Sequence, residues 1–243
     1  MLTATAAAAD YRAGVENYRD YLRRLQPGDR LLLDPGDYRQ GLTLHNLSGR
    51  AGQPIMIEAA DPAAPPRFIA RPGANTVSLV DVRYLTLRHL ELDGRNLPVD
   101  AVKAEGYSRY ADFITLEHLF IHDHAASQQN VGISTKCPAS GWAVRNNRIE
   151  RVGTGMYFGD ADGSAPFVGG VIEANRVAHT LGYNLQIKHQ KTRPPDDADR
   201  HETVIRHNVF SKRDAMPGPL ARPNVLLGHF PPTGAGSEDR YLV

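Results

Sequence analysis

LTLRHLEL (85–92), ITLEHLFI (114–121), WAVRNNRI (142–149), GVIEANRV (170–177) and TVIRHNVF (203–210) are five copies of one pattern. Their third positions are Leu87, Leu116, Val144, Ile172 and Ile205, spaced 29, 28, 28 and 33 residues apart. The eighth positions are Leu92, Ile121, Ile149, Val177 and Phe210, and the sixth are Leu90, Leu119, Asn147, Asn175 and Asn208. Between the copies runs a second stripe in which Val102/Ala104, Val131/Ile133, Met156/Phe158, Leu185/Ile187 and Val225/Leu227 alternate with other residues at period 2. Alternation of this kind marks short strands, and nothing in the repeats has helical spacing. A repeat that cannot bury its own apolar face must stack on its neighbours. Strand-only repeats that stack in this way make a parallel β-helix with strands ~4.8 Å apart. Asn147, Asn175 and Asn208 are then expected to form an internal ladder of side-chain amides.

Upstream of the repeats, Val15, Tyr18, Tyr21, Leu22 and Leu25 lie at offsets of three and four and predict a helix over about Gly14–Leu25. Pro27-Gly28-Asp29 stops it, and Arg30–Leu33 follows as a strand. An amphipathic helix here is suited to cover the open end of the stack. The expected division is a flexible N-terminal segment, 1–12, and one β-helix domain, 13–243. Tyr241-Leu242-Val243 resembles the start of another frame with Val243 near the third position, so the β-helix is expected to be truncated at its C-terminal end and to self-associate through that uncapped coil.

Composition narrows the function. The 243 residues carry 28 Lys+Arg and 27 Asp+Glu, a formal charge of +1, which excludes a nucleic-acid binder that works by bulk charge. Twenty-two Gly and 17 Pro suit many short strands rather than a helical bundle. Cys137 is the only cysteine, so there is no intrachain disulfide and no Cys-based zinc cage. No apolar run approaches the ~18 residues of a membrane span. MLTATAAAAD (1–10) is not an intact signal peptide but looks like the Ala-rich end of one, so a secreted or periplasmic location is expected.

Superposing the second stripe predicts three outward columns at its strands. One runs Lys103, Gly132, Tyr157, Gln186. The next runs Glu105, Ser134, Gly159, Lys188, Gly228. The third, at the strand end, runs Asp160, His189, His229. Lys188, His189, His229 and Arg193 are the candidate catalytic residues. Tyr157, Asp160, Gln186, Gln190 and Lys136 are the candidate substrate-binding residues, and the insert from Gln190 to His201 is expected to wall the patch. A lysine crowded by other cations has a lowered pKa and can act as a base. Cations also neutralise a substrate carboxylate as charge develops. His122-Asp123-His124 offers two histidines at a strand end, read as a polar turn before a metal site. Asp160-Ala161-Asp162-Gly163 begins like a calcium loop without its later ligands, and Asp196-Asp197-Ala198-Asp199 reads as a solvated loop. Trp142 sits in the inward frame and reads as core. No paired carboxylates occupy matching frames, which argues against a two-acid glycoside hydrolase.

PGDRLLLDPGDY (27–38) resembles the N-terminal segment of pectate-lyase-like right-handed β-helix proteins. IKHQ (187–190) followed by TVIRHNVF (203–210) resembles the alginate lyase and chondroitinase B family of polysaccharide lyases. That resemblance implies a catalytic lysine at Lys188, one coil before the ladder segment Ile205–Phe210, and cleavage of a uronic-acid-containing polysaccharide by β-elimination. The chain departs from the family where an Arg-His-Gly triplet is expected: it has Gly228-His229-Phe230, without the Arg. The resemblance also implies Ca2+, but Leu181–Gln186 contains none of the acids that would hold it. Two functions follow. One is a lyase-like enzyme on acidic polysaccharide, and the other is a non-catalytic glycan-binding or structural β-helix module.

Overall fold

The computed structural model describes residues 8–191, 201–213, 222–228 and 239–243. Each coil visits three parallel sheets in turn. Val82–Arg88 lies in the first sheet, Glu91–Asp93 in the second and Val102–Ala104 in the third, after which Ala111–Glu117 returns to the first. Among the described residues the sheets hold 11, 7 and 7 strands. The fold is an all-β parallel β-helix.

Leu87 is paired with Leu116, Leu116 with Val144, Val144 with Ile172 and Ile172 with Ile205. All five are buried. Leu31 and Ile57 extend the same column two coils upstream, where the sequence frame was too irregular to show them. The eighth positions form a second inward column through Leu92, Ile121, Ile149, Val177 and Phe210. At the corner between them, Asn147 Nδ2 donates to Asn175 Oδ1 at 2.9 Å and Asn175 Nδ2 donates to Asn208 Oδ1 at 2.9 Å. Each amide also donates to a strand carbonyl of the coil before: Leu116, Val144 and Ile172 in turn. Trp142 is buried core, its Nε1 bonded to the Ala111 carbonyl.

Two features were not read from the sequence. The coil corners use left-handed backbone at His89, His118, Asn146, Ala174 and His207, and again at Asp123, Arg151 and His179. Left-handed backbone at non-glycine residues normally costs free energy. Here it recurs with the repeat, so the tight corner between strands imposes it. The second feature is a ladder of alternating charge on the outer face of the first sheet: Glu58, Arg88, Glu117, Arg145, Glu173, Arg206 in register. Arg145 Nε lies 2.7 Å from Glu117, and Arg206 Nη2 lies 2.8 Å from Glu173. A slip by one coil would bring like charges together, and a slip along the strand would separate the pairs.

At the N-terminal end the helix is shorter than expected, Tyr18–Leu22 instead of 14–25. Residues 14–17 form a turn closed by the Asn17 and Tyr18 amides on the Gly14 carbonyl. The cap nevertheless forms. Tyr18 is buried against Tyr38 and Phe68, and its hydroxyl donates to the Gly41 carbonyl at 2.7 Å. Asp10–Ala13, which straddles the expected 1–12 boundary, is a strand paired with Arg30–Leu33, so the β-helix begins before residue 13. At the other end Tyr241 and Leu242 pair with Thr203 and Val204. No helix among the described residues is long and apolar enough to cross a membrane.

Candidate functional site

The third sheet carries the candidate site. Its strands carry, on their outer face, a column that runs Thr43, Ser78, Lys103, Ser134, Tyr157, Gln186, Leu226 in register. This corrects the sequence superposition by two residues at one coil. Ser134, not Gly132, stands beside Lys103 and Tyr157. Lys136, not Ser134, falls in the column with Gly159 and Lys188. A two-residue slip leaves every side chain on its face, so period-2 alternation cannot detect it. The correction moves Lys136 into line with Lys188, two strand spacings (~10 Å) away.

Between them lies Gly159, at φ 86, where a Cβ would stand 3.1 Å from the Cβ of Lys188. The glycine opens a slot between two lysines. Tyr157 lies over the slot. Lys136 Nζ is 3.4 Å from the centroid of its ring and Lys188 Nζ is 5.7 Å from it, so the ring lies near two ammonium groups. These residues line a groove of about 600 Å³ together with Asp100, Lys103, Gln186 and Arg222. Asp100 is the one carboxylate among the described lining residues, and it is engaged. It accepts from the Val131 amide at 2.9 Å and from Ser134 Oγ at 3.2 Å, and it pairs with Lys103 Nζ at 3.2 Å. Among the described residues no acid in the groove is paired with Lys136, Lys188 or Arg222.

The electrostatics follow from burial and crowding. Burial lowers Lys136 from the ordinary lysine value to about 8. Lys103 and Lys188 push in the same direction, while Asp100 and Asp160 oppose it. Burial also lowers Lys188, with Asp160 opposing. Tyr157 moves the other way, pushed up to about 12 by burial, then by Asp160 and Tyr183. At neutral pH the groove therefore holds a protonated phenol beside amines that give up their protons more readily than free lysine.

The structure sorts the predicted residues. Lys136, Tyr157, Gln186 and Lys188 share the groove. His189 does not: it is 2% exposed, with its ring beneath Gly163. Gln190 points inward, fully buried, and its Nε2 donates to the Phe167 carbonyl. The strand ends at Lys188, so neither residue continues the outward frame of Gln186 and Lys188. Asp160 closes its own turn, accepting from Ala165 N at 3.0 Å and Ser164 Oγ at 2.8 Å. Arg193, His229 and the Asp196–Asp199 run lie outside the described residues. Lys103, Asp100 and Arg222 were not chosen from the sequence. Lys103 could have been, as the outward residue of Val102-Lys103-Ala104, whereas Arg222 lies in an irregular connection with no frame.

The groove does not fit the Ca2+ that the resemblance implies. Calcium takes six to eight oxygen ligands, and the only described carboxylate here is already committed. His122 and His124 do not converge either. Left-handed backbone at Asp123 turns His124 into the core, where Nδ1 meets the Val99 carbonyl. His122 lies on the outer face but is covered, beside Asp123 at 2.6 Å and Glu91 at 3.2 Å. Asp93, His122 and Asp123 do gather within 4.8 Å. Asp123 is held there by Arg151 at 2.6 Å, so the cluster is an ion-pair network as it stands.

No protein-family model and no curated protein sequence matches the chain. Solved structures do. One is a lacto-N-biosidase of glycoside hydrolase family 136 from Eubacterium ramulus, with a TM-score of 0.63 and 18% identity. The match covers 82% of this chain and 44% of that one. Another is an alginate lyase of polysaccharide lyase family 6, with a TM-score of 0.50 and 12% identity, covering 90% of this chain and 37% of that one. The chain shares its fold with carbohydrate-active β-helix enzymes. It spans less than half the length of either, and at these identities the likeness is one of fold.

Proposed function

We propose that the groove binds an acidic polysaccharide and cleaves it beside a uronic acid by β-elimination. One observation carries this reading: Lys103, Lys136 and Lys188 converge with the Tyr157 phenol in a groove whose described lining has a single, committed carboxylate. A two-acid glycoside hydrolase needs a pair of carboxylates flanking the bond, and that pair is not among the described lining residues. A lyase needs what is present.

In the proposed reaction the unprotonated Lys188 amine takes the proton from the carbon next to the uronate carboxylate. The electron pair left behind forms a carbon–carbon double bond as the bond to the leaving sugar oxygen breaks. Tyr157 gives its proton to that oxygen, and the proton held by Lys188 returns to the phenolate through solvent. The ammonium of Lys136, with Arg222, meets the carboxylate as negative charge builds on it. Binding a uronate also favours the charged form of Lys136, so substrate restores the proton that burial discourages. No step requires a metal. A polymer substrate of this kind is met outside the cytoplasm, in keeping with a secreted or periplasmic protein.

The test is incubation with alginate, pectate, chondroitin and heparin-like chains, following the ultraviolet absorbance of the unsaturated uronate. Growth of that absorbance on one of them, lost in Lys188→Ala with the far-ultraviolet dichroism intact, is the expected result. Tight binding with no product on any of them would make the groove a glycan-binding site instead.

A further inference from the structure

The outer-face column that carries Lys103 and Tyr157 does not stop at the groove. It continues through Ser78 to Thr43, two strand spacings (~10 Å) beyond Lys103. There it enters a second cavity, of about 770 Å³, between the capping helix and the first strand of the third sheet. Its lining includes Glu16, Arg19, Asp20, Arg23, Gln40 and His45. The two cavities thus lie on one face, in line along the stacking axis.

Their chemistry differs. The groove around Tyr157 is cationic. The N-terminal cavity balances two guanidinium groups against two carboxylates and adds the amide of Gln40, to which Arg19 donates. Burial holds His45 below the ordinary histidine value, so its ring is neutral at pH 7, and its Nε2 lies 3.1 Å from Ser78 Oγ. A net-neutral lining rich in both donors and acceptors suits vicinal hydroxyl groups, and it lacks the excess of cations that would draw in a carboxylate.

We propose that this cavity is a second glycan site, taking a neutral, hydroxyl-bearing sugar of the same chain whose uronate lies at Tyr157. The inference rests on the polysaccharide reading of the groove and deepens it: the substrate is a mixed polymer of uronic acid and neutral sugar, laid along the β-helix axis. Two sites on one chain raise the effective concentration of each segment at its own site.

Two measurements test it. In the first, saturation-transfer NMR follows a panel of neutral hexose oligosaccharides on the wild-type protein and on the double variant Arg23→Ala, Gln40→Ala. Transfer is expected to the wild type, weakened about 3- to 10-fold in the variant, and undisturbed by a short uronate oligomer. Absence of transfer from every neutral oligosaccharide overturns the proposal. So does transfer that the double variant retains, or that the uronate oligomer displaces. In the second, KM is compared for a homopolymeric polyuronate and an alternating uronate–hexose polymer of equal length. The mixed polymer is expected to have the lower KM, and Arg23→Ala to remove the difference. Equal KM values in the wild type overturn the proposal. If no polymer is cleaved, the lyase reading has failed, and the NMR result still decides whether the cavity binds neutral sugar.

Discussion

Replacing Lys136 with methionine should stabilise the protein while damaging its function. Lys136 holds its ammonium 3.4 Å from the Tyr157 ring centroid and is displaced from the ordinary lysine value of 10.5 to about 8. One unit of displacement corresponds to about 1.4 kcal/mol. The full displacement would amount to ~3 kcal/mol, and solvent screening at this partly open site reduces it to about 1–2 kcal/mol. The sign follows from proton binding. The unfolded chain holds the proton up to its higher pKa, so below about pH 8 the fold bears the whole cost of keeping the charge. That cost shrinks as pH rises from about 8 to the unfolded value and is gone above it. Methionine keeps the stem on the Tyr157 ring without the charge. For a domain of this size, 1–2 kcal/mol raises Tm by roughly 2–8 °C. Differential scanning calorimetry at pH 6.5 and at pH 10.5 should show a higher Tm for Lys136→Met at the lower pH and convergence at the higher one. A variant no more stable than wild type at pH 6.5, or a difference that ignores pH, would refute the reasoning.

Three further outcomes are expected. Asn175→Ala removes the middle amide of the ladder and orphans partners on both sides, costing ~1–3 kcal/mol; an unchanged urea midpoint would show that the amides are replaceable by water. Tyr157→Phe keeps the ring near both lysines and removes only the hydroxyl, so kcat should fall about 10²–10⁴-fold with little change in KM; wild-type kcat would take the proton donor away from Tyr157. Glu58 lies below its ordinary value, held by hydrogen bonds and charge from Arg88 and Arg30 against the opposing effect of burial. Its contribution is therefore present above the unfolded value of 4.5 and lost as pH falls through the lower folded value. Glu58→Gln should accordingly lower Tm at pH 7 and converge with wild type in acid; equal Tm values at pH 7 would show that the charge ladder carries no stability there.

The fold was legible because stacking repeats the same demand at every coil. Leu87, Leu116, Val144, Ile172 and Ile205 must all fill one column, and each copy of the demand strengthens the signal. The site was legible only in part, because it is made where the repeats differ. Lys188 and Tyr157 stood out as large outward residues on identified strands. Lys136 was chosen, but the column it shares with Lys188 was misplaced by a slip that leaves the alternation unchanged. His189 and Gln190 were placed outward by extending a strand past its end. Arg222 comes from an irregular segment, where no period exists to read, and the cavity under the capping helix forms between a helix and a strand that no repeat links.

The central claim is that the lysine groove eliminates rather than hydrolyses. Mass spectrometry of the products formed from a polyuronate in heavy-oxygen water tests it most directly. Elimination by Lys188 and Tyr157 adds no water, so the account predicts unsaturated products that carry no label at the cleaved bond. Saturated products that have gained one labelled oxygen for each bond broken would contradict it.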